Sequence, residues 1–197
     1  QIPREDVRCA IVFAAGSAVG LTIIQHLAAV SPRPFIIAIA GAHQKLSAAL
    51  RLGADLVIDR HDAQYEDTLV RSARKAGGAN VVFDCVGRSA LALASKLVAS
   101  DARWVLYGAM SGRNTTLDLA QLLARRTTLT AATLRSRNLV YKASIMRTLA
   151  QSTWPKLSNG LLPPPLIDSV YDLQEVSLAH DRVRNNHNTG KVILRVH

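Results

Sequence analysis

Cysteine is nearly missing from this chain. Only Cys9 and Cys85 occur in 197 residues, too few for the disulfide framework of a small secreted domain. Both sit in apolar runs, which predicts buried thiols in a reducing compartment, either cytoplasm or mitochondrial matrix. No apolar run approaches the length of a membrane-spanning helix, and no secretory signal is visible. No His/Cys spacing matches a metal site, so no metal is expected. Lysines and arginines form no block and do not interleave with aromatic residues. Specific nucleic-acid recognition is therefore not expected, despite a formal charge of +10 and a pI near 10.3. Such a surface favours anionic partners such as nucleotide phosphates, RNA, acidic protein faces or lipid headgroups, or simply keeps the chain soluble. Carboxylates are absent from Val7 through Ala54. An initiator Met is absent as well: the chain begins at Gln1, and the expectation is that something upstream is cut away or lies outside this sequence.

What is present is a hydrophobic chain, 49% apolar, of a length that suits one domain with a full core. Short apolar runs at 8–14, 35–40, 56–59, 80–85, 103–107 and 128–134 read as strands. Helical patterns at 18–29, 44–52, 63–74, 90–98 and 119–125 separate them. Gly53 stands where a helix C-cap belongs, and Gly77-Gly78 marks a turn. Alternation of this kind predicts an α/β fold with a parallel sheet covered on both faces. Right-handed crossovers then make it doubly wound. A longer helix is expected over 138–157. Pro163-Pro164-Pro165 reads as a stiff, extended connector, followed by a strand (167–171), a helix (173–185) and a last strand (191–196). The organisation expected is a Rossmann dinucleotide-binding domain over 8–160 and a C-terminal strand-helix-strand segment over 161–197.

A dinucleotide fold places a tight, glycine-rich turn between its first strand and first helix, where the pyrophosphate meets the helix N-terminus. The turn here is Ala14-Ala15-Gly16-Ser17-Ala18-Val19-Gly20. It departs from GxGxxG at Ala15 and Ser17. Gly20, the last glycine, is expected to let the helix pack close against the strand. A ligand-free turn of small residues is the alternative.

Several stretches together resemble the quinone oxidoreductases of the zinc-independent medium-chain dehydrogenase/reductase superfamily. They are IVFAAGSAVGLTIIQ (11–25), Ala40-Gly41 with Lys45-Leu46, LGAD (52–55), VVFDCVG (81–87), RWVLYGAMSG (103–112), LLARR (122–126), LRSR (134–137), Ala179-His180 and NTGKVIL (188–194). The likeness runs through nearly the whole chain. It implies a Rossmann-type cofactor domain with its C-terminal return segment, the family's N-terminal GroES-like catalytic domain being absent from this sequence. The family turn carries two adjacent glycines where this chain has Ser17-Ala18, and an aromatic residue where it has Arg60.

The resemblance implies hydride transfer from NADPH to a quinone or enone without zinc. The residues agree on the cofactor. NAD-binding folds place an acid at the end of the second strand to bond the ribose 2′-hydroxyl, and this region has none. A small floor at Gly41 with Lys45 and Arg60 beside it suits a 2′-phosphate, so NADP(H) is expected. The candidate cofactor-binding residues are Ala15, Gly16, Ser17, Ala18, Val19, Gly20, Gly41, Lys45, Arg60, Cys85, Gly87, Tyr107, Gly108 and Asn188; no catalytic residue is assigned. Cys85 is expected in the core rather than as a nucleophile. The second possibility is a non-catalytic Rossmann subunit of a larger, conceivably mitochondrial, assembly. Strand 128–134 reads as an exposed sheet edge. In the resembled family this edge pairs with its two-fold mate, so a homodimer is expected, or a protein partner in place of the absent domain.

Overall fold

The computed structural model describes residues 7–196. Six strands form one sheet: β1 (Cys9–Val12), β2 (Phe35–Ala40), β3 (Leu56–Asp59), β4 (Ala79–Asp84), β5 (Val98–Leu106) and β6 (Thr128–Ala131). Their order is β3-β2-β1-β4-β5-β6, and every neighbouring pair is parallel. This is the doubly wound order of a dinucleotide-binding fold. The unbroken apolar stretches CAIV and FIIAIA follow from it, since a central parallel strand is buried on both faces. All four residues of β1 are fully buried.

Strand alternation divides the core into two layers. Val12, Ile36 and Ala38 point to one face, where they meet Leu21 and Ile24 of α1 (Ala18–Ala28) and Ala48 of α2 (His43–Arg51). Ile11, Phe13 and Ile37 point to the other. There they meet Leu69 of α3 (Tyr65–Lys75), Ala90 of α4 (Arg88–Leu91) and Leu97 of α5 (Ala94–Leu97). Trp104 of β5 is 1% exposed and stacks at a tilt on Phe13, with ring centroids 6.1 Å apart. Gly53 has φ +112° at the end of α2, as its C-cap position requires.

The chain after β5 is packed differently. α6 (Leu119–Ala124) precedes β6, then come α7 (Leu139–Ser152), α8 (Trp154–Ser158), β7 (Ile167–Asp172), a short 3₁₀ turn, α9 (Val176–Arg184) and β8 (Lys191–Arg195). β7 and β8 form a separate two-stranded parallel sheet. The proline connector is fastened to the main body: the Gln25 amide, buried in α1, donates to the carbonyls of Pro163 and Pro164.

Several expected boundaries are corrected. The single helix expected over 138–157 is two, α7 and α8, which meet at Thr153. Pro155 cannot donate within a continuing helix, and its ring would clash with the carbonyl four residues earlier. The helix expected over 90–98 is the pair α4 and α5, and Val98 opens β5 instead of closing a helix. β6 ends at Ala131, short of the expected Leu134, having paired along Arg103 to Leu106 of β5.

Candidate functional site

The winding of the sheet reverses between β1 and β4, and the candidate site lies at the carboxyl ends of these strands, where such folds leave a crevice. Its first part is the turn from β1 into α1. Ala14 takes φ +49°, a left-handed conformation uncommon for alanine. Ser17 is the N-cap of α1, and its Oγ accepts from the Gly20 N–H at 3.0 Å. Helix geometry leaves the Ala18 and Val19 N–H groups without partners inside α1, so they face the position an anion would take. A Cβ on Gly20 would lie 2.7 Å from the Ala14 carbonyl oxygen and 2.8 Å from Ala15 Cα. Gly20 therefore lets the start of α1 pack against the turn itself, at Ala14 and Ala15, rather than against β1 as expected. Ala15 is buried beneath the turn.

Gly16 has another role. A Cβ there would lie within 2.5 Å of Lys45 Cβ and Cγ, so its missing side chain makes room for the lysine stem. Lys45, in the first turn of α2, is 6% exposed. Its ammonium donates to the Asn186 carbonyl oxygen at 2.7 Å and to Asn186 Oδ1 at 2.6 Å. Burial holds its pKa below the ordinary 10.5, the Arg60 charge adds to that, and Asp168 opposes it. Lys45 was expected to be a free phosphate ligand. In this structure its ammonium is held by the loop after α9, a contact 141 residues away in sequence.

Beside it, Arg60 and His61 lie over Gly41 at the end of β2. A Cβ on Gly41 would meet Arg60 Nε at 2.3 Å and His61 Nε2 at 2.7 Å. Both side chains are exposed. Gly41 and Arg60 are thus brought together as the sequence suggested, and His61 joins them. The first acid after the gap, Asp55, is engaged elsewhere, pairing with Arg33 at 2.9 Å and accepting from the Ile36 N–H.

The third part is a pair of loops after β4 and β5. Asp84 is fully buried. Its Oδ1 accepts from the Val86 and Gly87 N–H groups at 2.7 and 2.9 Å, and its Oδ2 from Trp104 Nε1 at 3.0 Å. Burial raises its pKa, while the Gly87, Trp104 and Val86 donors pull it back down. The two loops press together: a Cβ on Gly87 would lie 2.8 Å from Ala109 Cα, and one on Gly108 2.8 Å from the Cys85 carbonyl oxygen. Cys85 is a buried thiol whose pKa is pushed up by burial. The Tyr107 hydroxyl is buried beside it, also raised by burial, and no nitrogen or oxygen among the described residues is placed to bond it.

The C-terminal segment closes the site from the side. Gly190 N–H donates to the Gly16 carbonyl at 3.0 Å, and Gly190 forms a parallel bridge with Ser17. Asn188 bonds back to the Gly190 carbonyl. The Thr189 hydroxyl is buried next to the turn without a partner among the described residues. Its N–H donates to Asp168 Oδ1 at 2.8 Å, and Arg182 pairs with the same carboxylate. The Arg182 guanidinium is the main reason the Asp168 pKa falls to about 2. Sequence reasoning missed Asp84, Asp168 and Asn186. Asp84 lay inside a quoted motif, and its strand-end position was a usable signal. Asn186 and Asp168 act across long sequence separations and left none.

The fold is a doubly wound, Rossmann-type α/β domain. The family model for zinc-binding dehydrogenases matches residues 18–151. Quinone oxidoreductase-like protein 2 of Bos taurus is 28% identical over 196 residues, covering 98% of this chain and 53% of that protein. The quinone oxidoreductase of Pseudomonas syringae superposes with a TM-score of 0.78 at 24% identity, covering 96% of this chain and 57% of that one. The Escherichia coli quinone oxidoreductase complexed with NADPH gives 0.78 at 20% identity, covering 97% and 59%. The chain belongs to the zinc-binding dehydrogenase family. It spans about half the length of the curated relatives it matches. Among the described residues no cluster of three or more His, Cys, Asp or Glu could hold a metal ion, and no helix is long and apolar enough to cross a membrane.

Proposed function

We propose that this chain is the NADP(H)-binding part of a quinone oxidoreductase-like enzyme. The observation that carries the reading is the placement of Arg60, with His61 beside it, over Gly41, at the strand end where an NAD-binding fold keeps an acid. The buried, unpartnered Thr189 hydroxyl beside the turn supports it, since a buried polar atom calls for a partner. The Ala18 and Val19 N–H groups would hold the pyrophosphate. Arg60 and His61 would hold the 2′-phosphate, and the Cys85–Gly87 and Tyr107–Ala109 loops would orient the nicotinamide end and exclude water. When bound, NADPH supplies a hydride for reduction of a quinone or enone. The chain's own residues bind and position, and none of them is assigned a proton-transfer step. Calorimetric titration tests this: NADPH should bind more tightly than NADH, and equal affinities would remove the 2′-phosphate argument.

β6 supports a homodimer in the same reading. All four of its residues are exposed at the sheet edge, opposite its pairing with β5, and no proline or charge blocks a further strand. Leu129→Pro removes an outward-facing ladder donor, since the Ala132 N–H, and with it that of Thr130 two residues earlier, faces β5. It should shift sedimentation at micromolar concentration from dimer to monomer, and a wild-type monomer would rule out this contact.

A further inference from the structure

We propose that Asn186 sets how strongly the site prefers a 2′-phosphorylated cofactor, by holding the Lys45 ammonium away from the Arg60–His61 cluster. This rests on the NADP(H) reading above and adds a specificity-determining residue to it. Lys45 starts from the first turn of α2, just beyond Gly41, and its stem crosses Gly16. From there its ammonium has two destinations. One is the cluster over Gly41, where the Arg60 charge repels it as long as no anion lies between them. The other is Asn186, which offers two oxygens at 2.7 and 2.6 Å and takes it.

The loop that carries Asn186 is placed by contacts that do not need the lysine. Asn186 and His187 N–H groups donate to the Val183 and Arg182 carbonyls at the end of α9. Thr189 N–H is held by Asp168, and Gly190 N–H by Gly16. Asn186 itself is exposed and takes φ +57°, a left-handed conformation that asparagine and glycine tolerate. Its side chain can therefore be changed without dismantling the loop. A bound 2′-phosphate, carrying close to two negative charges, would compete for Lys45 against two neutral oxygens. Binding then costs the Asn186 contact, and NADPH affinity is lower than Arg60, His61 and a free Lys45 together would give. NADH has no such phosphate and serves as the internal reference.

Two substitutions move this contact in opposite directions. Asn186→Gly keeps the left-handed backbone and the carbonyl but removes Oδ1. Asn186→Asp replaces a neutral oxygen with a carboxylate and tightens the hold. Calorimetric affinities for NADPH and NADH are measured on the wild-type chain, on both variants, and on each combined with Lys45→Met, with thermal melts to confirm folding. The NADPH:NADH affinity ratio should rise roughly three- to tenfold for Asn186→Gly and fall by a similar factor for Asn186→Asp, the worth of one hydrogen bond at an exposed site. In the Lys45→Met background the Asn186→Gly rise should vanish, and the Asn186→Asp fall should shrink to the direct repulsion between the new carboxylate and the 2′-phosphate. A ratio that stays within about twofold across the series, or that moves equally without Lys45, overturns the proposal. So does a parallel change in NADH affinity, which would mean that the loop acts on the whole turn. If no form binds either dinucleotide, the NADP(H) reading itself is wrong.

Discussion

The sheet up to β5 and the chain beyond it are built on different terms. β1, β2 and β4 bury nearly every residue, and Phe13, Trp104 and Leu97 are closed off completely or almost so. Past β5, β6 is exposed throughout, α6 and α7 have no buried residue, and Leu123 and Leu139 stand 81% and 82% exposed. Charge divides the same way. From Val7 through Ala54 there is no acid, yet that region is mostly core; between Ala102 and Ile167 Asp118 is the only carboxylate and the surface carries many arginines. The first region closes its core with its own residues. The second leaves apolar area and positive charge exposed.

The comparison breaks most sharply on paired truncations. Trp104→Ala removes a buried indole and leaves Asp84 Oδ2 unmatched. It should cost about 3–5 kcal/mol in urea unfolding, against less than about 0.5 kcal/mol for Leu123→Ala. Similar losses at both sites would mean that the second region is covered in solution.

Asp84→Ala should cost about 2–3 kcal/mol, because the Val86, Gly87 and Trp104 donors lose their common acceptor. The loss should be accompanied by faster amide exchange at Gly87 and not at Gly53, which marks it as a loop effect rather than global softening.

Acid sharpens the contrast from the other side. The folded pKa of Asp168 lies at about 2, below its ordinary 3.8. Its stabilisation is therefore complete above 3.8 and is lost as pH falls from 3.8 toward 2. The β7–β8 segment should open first over that window, read by exchange at Thr189 and Val192, while β1 stays protected. Loss of β1 protection at the same pH would show the two parts to be one cooperative unit.

The smallest effect belongs to the turn. Ala14 pays roughly 1–2 kcal/mol for its left-handed backbone, and glycine gives back about 0.4–1 kcal/mol through the unfolded chain. Ala14→Gly should therefore raise stability by roughly 0–1.6 kcal/mol, measured as a small upward shift in melting temperature. A clear drop would mean that the turn is not strained at Ala14.

Much of the first region was legible because its signals are local. CAIV and FIIAIA can only be buried strands, Gly53 and Gly77-Gly78 announce their turns, and Gly20 marks the close approach at the start of α1. Pro155 was legible too and should have split the helix expected over 138–157. The short break between α4 and α5 carried no such mark; it follows from tertiary packing of Leu91, Leu93 and Leu97 into the core.

The amino-acid order by itself determined the doubly wound class, the placement of the tight turn between β1 and α1 and the absence of an acid from the chain at the end of β2. Hydrophobic period, glycine and charge act over a few residues, and these features need nothing more. The sheet register then sets Asp59 beside Ala40. Only the tertiary structure decided what Lys45 does. Its ammonium lies within reach of two environments, and the one it meets is supplied by Asn186, brought across the fold by the packing of α9 and the Asp168 anchor. A side chain so long and so flexible goes where its partners are, and those partners are set by the folded chain rather than by its neighbours in sequence.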